Sequence, residues 1–272
     1  MPTYDLEGTV AFVTGAGRGQ GRSHAVRFAE VGADVVAVDV ATDPGSAQYP
    51  LSTAADLEET VRQVEATRGR AIAVHADVRE EPQVRSAVDE ALDTFGRIDV
   101  LVANAGIWDS RDLLELEERA WDAVLETNLK GTWLCAKHVG KHFIDRGNGG
   151  RIVTVASTAG LVGARGSGHY TASKHGIVGL TKTLALELAE YDVTANCVCP
   201  TGVDTPMIDG VLEEVGPEPF ERISDVSGSM NVLDGELLEP AAVNEACLWL
   251  SSPAARYVTG AVVPVDAGMT AK

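Results

Sequence analysis

Short aliphatic runs recur along this chain, and segments with helical spacing separate them. The runs are "TVAFVTG" (9–15), "DVVAVDV" (34–40), "RAIAVHADV" (70–78), "DVLVANAG" (99–106), "RIVTVAS" (151–157), "VTANCVCP" (193–200) and "AVVPVDAG" (261–268). They are nearly continuous in apolar residues, the pattern of strands covered on both faces. Between them, Leu57, Val61 and Val64 fall three or four positions apart, as do Leu180, Leu184 and Leu188. Such spacing lines one face of a helix. Alternation of strand and helix predicts a parallel sheet with right-handed crossovers. The expected fold is a single doubly wound α/β domain over 1–272, with about seven parallel strands and helices on both faces. In such sheets ligands bind beyond the carboxyl ends of the strands. Attention therefore falls on Thr14–Gly21, Asp39, Asp77, Asn104–Gly106, Ser157 and Pro200–Thr205.

Charge narrows the choice of partner. The formal net charge is −18, and 45% of the 272 residues are hydrophobic. An acidic chain lacks the basic surface that nucleic acid or an anionic membrane requires. No apolar stretch approaches the length of a membrane span, about 20 residues. The N-terminal "MPTYDLEGTV" has no charged-then-apolar signal pattern, so a cytoplasmic location is expected. Cys135, Cys197, Cys199 and Cys247 form no C-x-x-C and read as small buried hydrophobes; no metal set is expected. On a strand, Cys197 and Cys199 share a face.

The glycine knot "TGAGRGQG" (14–21) follows the first strand and opens a helix. It fails the strict G-x-G-x-x-G spacing, because from Gly15 and Gly17 the last position falls on Gln20. Gly15, Gly19 and Gly21 instead fit T-G-x-x-x-G-x-G. A helix N-terminus offers free N–H groups to a pyrophosphate, and glycines let the backbone approach it. The second strand ends at Asp39. A carboxylate there accepts hydrogen bonds from both adenosine ribose hydroxyls and repels a 2′-phosphate. Arg18 argues the other way, as a cation for that phosphate, but Val40 offers no second one. The reading is NAD rather than NADP.

Tyr170 and Lys174, four apart in a helical pattern, share a face. The pair is a weak signal alone; Ser157, at the end of a strand, sharpens it. Other candidates read as structural. His138 and His142 are four apart but lack H-E-x-x-H and a third ligand, so a solvated helical face is expected. Glu115, Glu117 and Glu118 read as surface helix, and Trp108 and Trp133 as packing, although Trp108 could also line a substrate pocket.

With these motifs in order, the chain resembles a classical short-chain dehydrogenase/reductase over nearly its whole length. The motifs are "TGAGRGQG", "DV" (77–78), "NAG" (104–106), Asn128 in "TNLKG", Ser157, "YTASK" (170–174) and "PTGVDTPM" (200–207). Gln20 replaces the usual aliphatic residue, and Thr201 intrudes between Pro200 and Gly202. The resemblance implies a Rossmann fold with Tyr170 as acid/base, Ser157 on the substrate oxygen and Lys174 on the nicotinamide ribose. Asn128 would hold a water in a proton relay. Gly15, Arg18, Gly19, Gln20, Gly21 and Asp39 would bind the adenosine half of the cofactor. Asp77 and Val78 would meet the adenine, with Asn104, Ala105 and Gly106 beside them. Pro200, Gly202, Val203 and Thr205 would meet the carboxamide end. Lys174 and an oxidised nicotinamide, both cationic, would favour the phenolate of Tyr170. The family also implies a homotetramer.

Asp39 and Asp77 stand 38 residues apart, where ordinary members of the family use about a dozen fewer. The surplus is the loop "ATDPGSAQYPLST" (41–53), against about two to six residues in most such connections. The loop and "RGQGRSHA" (18–25) are similar to the actinobacterial subfamily of carveol dehydrogenases, associated with mycofactocin. That likeness implies a tightly held NAD, reoxidised in place by an external redox carrier. Tyr49 is expected to fold with the loop over the adenosine half. Segment 205–230 is expected to be the substrate lid, with Met207, Ile208, Val211, Leu212 and Phe220 as its apolar cap. The function expected is hydride transfer between NAD and a small apolar secondary alcohol or ketone. The alternatives are an NADPH-dependent ketone or ketoacyl reductase, which Asp39 disfavours, and a non-catalytic NAD-sensing module, which has no need of Ser157, Tyr170 and Lys174.

Overall fold

The computed structural model describes residues 4–43, 45, 47–67, 69–227, 231–233 and 237–271, without the side chains of 224–227. Two residues of the segments singled out above, Pro44 and Met230, lie outside these. Seven strands form one parallel sheet: β1 (Val10–Thr14), β2 (Asp34–Asp39), β3 (Ala71–His75), β4 (Val100–Ala103), β5 (Gly150–Val155), β6 (Val193–Pro200) and β7 (Val262–Val265). Their order across the sheet is β3-β2-β1-β4-β5-β6-β7. The direction of winding reverses between β1 and β4, which opens a crevice at their carboxyl ends.

Alternate residues of each strand feed opposite cores. Val10, Phe12, Val36, Val38, Leu101 and Ile152 pack on one face with Val84 and Val88 of helix α3 (Glu81–Phe95) and Leu134, Val139 and Phe143 of α5 (Gly131–Arg146). Ala11, Val13, Val35, Ala37, Val100 and Val102 pack on the other. There they meet Phe28 of α1 (Gly19–Glu30), Leu57 of α2 (Ala54–Glu65) and Leu248 and Leu250 of α9 (Pro240–Ser251). Each fully buried aliphatic or phenyl side chain contributes about 1.5–3 kcal/mol, so runs without a polar residue are what this sheet demands.

Three further features set up the crevice. Helix α4 (Glu118–Leu125) continues through a π turn (Glu126–Lys130) into α5. Helix α6 (Gly168–Glu187) carries Tyr170 and Lys174 in its first two turns. Beyond β6, α7 (Pro206–Glu214) and α8 (Glu218–Ser227) fold over the mouth of the crevice, where the lid was expected.

Candidate active site

The turn after β1 is built for close approach. Gly15 has φ +68°, and a Cβ on it would lie 2.8 Å from Ala105 Cα. A Cβ on Gly21 would lie 1.9 Å from the Gly15 carbonyl oxygen. Thr14 ties the turn to the next motif: its hydroxyl accepts from the backbone N–H groups of Asn104 and Ala105, each at 3.0 Å, while Asn104 Nδ2 donates to the Thr14 carbonyl. Helix α1 begins at Gly19 with neither a side-chain cap nor an acidic residue in its first turn. Its leading N–H groups are therefore left for an anion.

Asp39 closes one side of this turn. Its carboxylate accepts from Gly17 N–H at 2.8 Å, Ala41 N–H at 3.1 Å and Ser52 Oγ at 2.5 Å. An ionised carboxylate has about four acceptor sites, so capacity remains for a ligand hydroxyl. Ser52 went unnoticed in the sequence. Arg18 is committed elsewhere: its guanidinium donates to the Pro50 carbonyl at 2.5 Å and lies 6.0 Å from the centre of the Tyr49 ring. Asp77 forms a two-pronged ion pair with Arg79, which holds its carboxyl below the usual range against the opposing effect of burial. Arg79 is a second residue missed.

Ser157 caps a short 3₁₀ turn (Thr158–Gly160), accepting from Ala159 N–H at 3.1 Å. Across from it stands Tyr170, and burial pushes that phenol up to about 12, against the pull of its hydrogen bond with Ser157. Lys174 Nζ sits 5.4 Å from the centre of the Tyr170 ring and donates to the Val155 carbonyl at 3.0 Å. Burial draws this ammonium down to about 8. The lowered phenol expected from the sequence counted an oxidised nicotinamide as well as Lys174; in the protein by itself, burial wins. Asn128 sits in the π turn with its amide fully engaged. Its Oδ1 accepts from Ile107 N–H at 2.8 Å, and its Nδ2 donates to the Ile107 carbonyl and to Ser173 Oγ.

These groups converge on one cavity of about 290 Å³. Gly15, Gln20, Asp39, Asp77, Val78 and Gly106 line its cofactor-like end, with Ser157, Tyr170 and Lys174 in the middle. Trp108, Met207, Ile208 and Phe220 line the rest.

A family model described as enoyl-(acyl carrier protein) reductase matches residues 15–270. Over 277 aligned residues the chain is 44% identical to the (-)-trans-carveol dehydrogenase of Rhodococcus erythropolis, covering 98% of this chain and 99% of that one. The chain belongs to the short-chain dehydrogenase/reductase family. Two solved structures of the family, each 38% identical, are similar throughout. One is a short-chain dehydrogenase from Mycobacterium paratuberculosis bound to NAD (TM-score 0.92, 98% of this chain and 100% of that one). The other is a carveol dehydrogenase from Mycobacterium avium in complex with NAD (TM-score 0.91, 99% and 100%).

Some residues of this short-chain dehydrogenase/reductase stand where the sequence did not place them. Leu212, grouped with the cap, is 44% exposed, while Val211 is buried behind Tyr49 and Trp108. Trp133 does not pack inside; it is 42% exposed with Lys137 Nζ 5.2 Å from its ring centre. His142 is no solvated residue, for its Nε2 accepts from Ile98 N–H at 3.2 Å. Thr201, the intruder in the "PTGVDTPM" motif, donates to Asn231 Oδ1 and tethers the end of β6. Tyr49 packs among Trp108, Val211, Met207 and Phe220, on the substrate side of the cavity. No helix among the described residues is long and apolar enough to cross a membrane.

Proposed function

We propose that the protein transfers a hydride between a compact, largely apolar secondary alcohol, of the terpenoid kind, and a tightly held NAD. The observation that carries this reading is the convergence of Ser157, Tyr170 and Lys174 on one cavity whose far wall is apolar and whose near end is closed by Asp39. The NAD bound in similar structures and the carveol dehydrogenase among the relatives support it.

The residues present fit a dinucleotide. The glycine turn leaves no room for a Cβ at Gly15 or Gly21, and the leading N–H groups of α1 are uncapped. Asp39 offers a carboxylate to ribose hydroxyls, and Arg18 is held by Pro50, away from the part of a 2′-phosphate partner. NADPH, and with it the ketoacyl reductase alternative, is disfavoured for that reason.

Bound NAD supplies a carbon that accepts the hydride from the alcohol carbon. The protein does the rest. Ser157 orients the alcohol oxygen and steadies it as charge gathers there. Tyr170 removes the hydroxyl proton, and the ketone forms as hydride leaves carbon. Lys174, cationic below about 8, favours the phenolate that this requires and steadies the nicotinamide ribose. Asn128 holds Ile107 in place beside Gly106, and a water on its carbonyl would pass the proton outward. In ketone reduction each of these transfers reverses. The loop 41–53 holds Asp39 and Arg18 through Ser52 and Pro50 and slows release of NAD, leaving reoxidation to an external carrier.

The test begins with mass analysis of small molecules released when the purified protein is denatured. NAD is expected, not NADP. A panel of cyclic secondary alcohols should then reduce the bound cofactor in a single turnover, seen as NADH absorbance. Release of NADP, or no reduction by any alcohol in the panel, overturns the reading.

A further inference from the structure

We propose that Tyr49, a residue of the loop that follows β2, forms one wall of the substrate chamber and sets the largest alcohol it admits. The proposal rests on the alcohol dehydrogenase reading above and deepens it.

Three observations carry it. First, the loop divides its work within four residues. Pro50 and Ser52 serve the cofactor end, holding Arg18 and Asp39. Tyr49 turns to the other end, where it is 3% exposed and packs with Trp108 and Val211. Met207, Phe220 and Tyr170 pack on that cluster. Tyr49 and the catalytic Tyr170 therefore border the same cavity.

Second, the ring is fixed from two sides. Its hydroxyl accepts from the backbone N–H of Trp108 at 3.2 Å. Helix α7 carries Gly210 against it, and a Cβ there would come within 2.9 Å of Tyr49 Cβ. Glycine is a poor helix former, and here its use is spatial: it lets the lid helix lie close on the tyrosine. A wall held this way discriminates by shape, because it cannot swing aside cheaply for a larger guest.

Third, its surroundings match an apolar guest. Around Tyr49 the chamber is lined by Trp108, Met207, Ile208 and Phe220, and Trp108 and Phe220 stack at 5.2 Å between ring centres. Asp109, next to Trp108, is paired with Arg111 at 2.9 Å.

The experiment compares cyclohexanol with its fused bicyclic analogue decahydronaphthol, in wild type and in Tyr49→Phe, Tyr49→Leu and Tyr49→Ala. A hydrophobic pocket discriminates by about 10- to 200-fold for a single methylene, so removing a ring should be readily seen. Tyr49→Ala and Tyr49→Leu are expected to raise the kcat/KM ratio of bicyclic to monocyclic alcohol at least tenfold. Tyr49→Phe, which keeps the ring, should leave that ratio within about threefold. Tyr49→Leu stays apolar and guards against a fold lost in the alanine variant. An unchanged ratio in the leucine variant overturns the proposal, and so does a phenylalanine variant that behaves like leucine, since the hydroxyl would then matter and not the ring.

Two further measurements separate the causes. Release of bound NAD into labelled NAD should be unaltered in Tyr49→Leu; release that speeds up in step with lost selectivity makes Tyr49 a cofactor clamp and sinks the wall. Binding of cyclohexanone and decalone to the NADH-loaded protein, read by tryptophan quenching, does not depend on turnover. If no alcohol is oxidised, the dehydrogenase reading falls while the ratio of the two affinities still decides on Tyr49. Absence of binding by either ketone in every variant ends both.

Discussion

Ser52 donates to the Asp39 carboxylate at 2.5 Å from thirteen residues further along the chain. The bond closes the long loop back onto the carboxylate where it began. It also makes a neutral serine part of the apparatus that reads the cofactor ribose.

Ser52→Ala should therefore weaken NAD without touching any group expected to contact it through a charge. A hydrogen bond to an ionised group is worth about 1.5–3 kcal/mol, and Asp39 keeps the N–H groups of Gly17 and Ala41. We expect about a tenfold loss of NAD affinity and little change for NADP, by calorimetry on protein stripped of cofactor. Asp39→Ala should narrow the preference further. It should not create strong NADP binding while Pro50 holds Arg18. A preference that survives both substitutions would place the ribose elsewhere.

Tyr170→Phe should lower the single-turnover rate at least 100-fold, the lower end of what a positioned acid/base supplies, while bound NAD is retained. Retention of a tenth of the activity would remove Tyr170 from its role. The pH profile has a definite sign. Phenolate grows as pH rises, so alcohol oxidation should accelerate from acid toward neutral pH. Lys174 loses its proton at about 8 and with it the charge that favours phenolate, so the climb should level off there. Stopped-flow rates that continue rising past pH 10 would exclude that part for Lys174.

His24 supplies a stability test away from the site. It is fully buried between α1 and Asn244 of α9, and burial draws its pKa to about 4 from 6.5. Between those values the unfolded chain binds the proton and the folded one does not. Stability is complete above 6.5 and declines as pH falls toward 4, by about 3 kcal/mol over the window. Urea unfolding at pH 7, 5.5 and 4.5 should show a steeper decline in wild type than in His24→Leu. Parallel curves would mean that His24 is already charged in the fold.

Gly21→Ala and Gly19→Ala should part company. At Gly21 the new Cβ meets backbone at 1.9 Å, so the turn must deform and both stability and copurified NAD should be lost. At Gly19 the nearest atom would be Thr205 Cβ at 3.3 Å, and the φ of +54° adds strain of about 1–2 kcal/mol. Melting and mass analysis of the two proteins would show it; equal behaviour would mean that the turn adjusts freely.

The sheet was readable because every strand is a buried apolar run, and the alternation of runs with helices allows few topologies. Ends were less readable. The run 70–78 carries on past His75, where β3 stops, because Ala76 and Val78 are apolar for the crevice and not for the ladder. Ser157, Tyr170 and Lys174 announce themselves by chemistry and spacing. Ser52 and Arg79 do not, since each acts by meeting a carboxylate whose position the chain must first fold to define. The length of loop 41–53 is plain in the sequence, but the destination of Tyr49 is set by Gly210 and by Trp108, 59 residues away.

The π turn at Glu126–Lys130 makes the stretch from α4 to α5 intolerant of small length changes. One surplus residue is absorbed there without a break in the rod. Deleting a single residue would restore a regular ladder and turn the two halves by about 100° relative to each other. Val124 and Asn128, now both buried, could not then both face inward. Length in this family member is thus a coded quantity at one turn of helix, and a screen of one-residue deletions along 118–146 should find its deepest loss of folded protein near Asn128, not at the exposed ends.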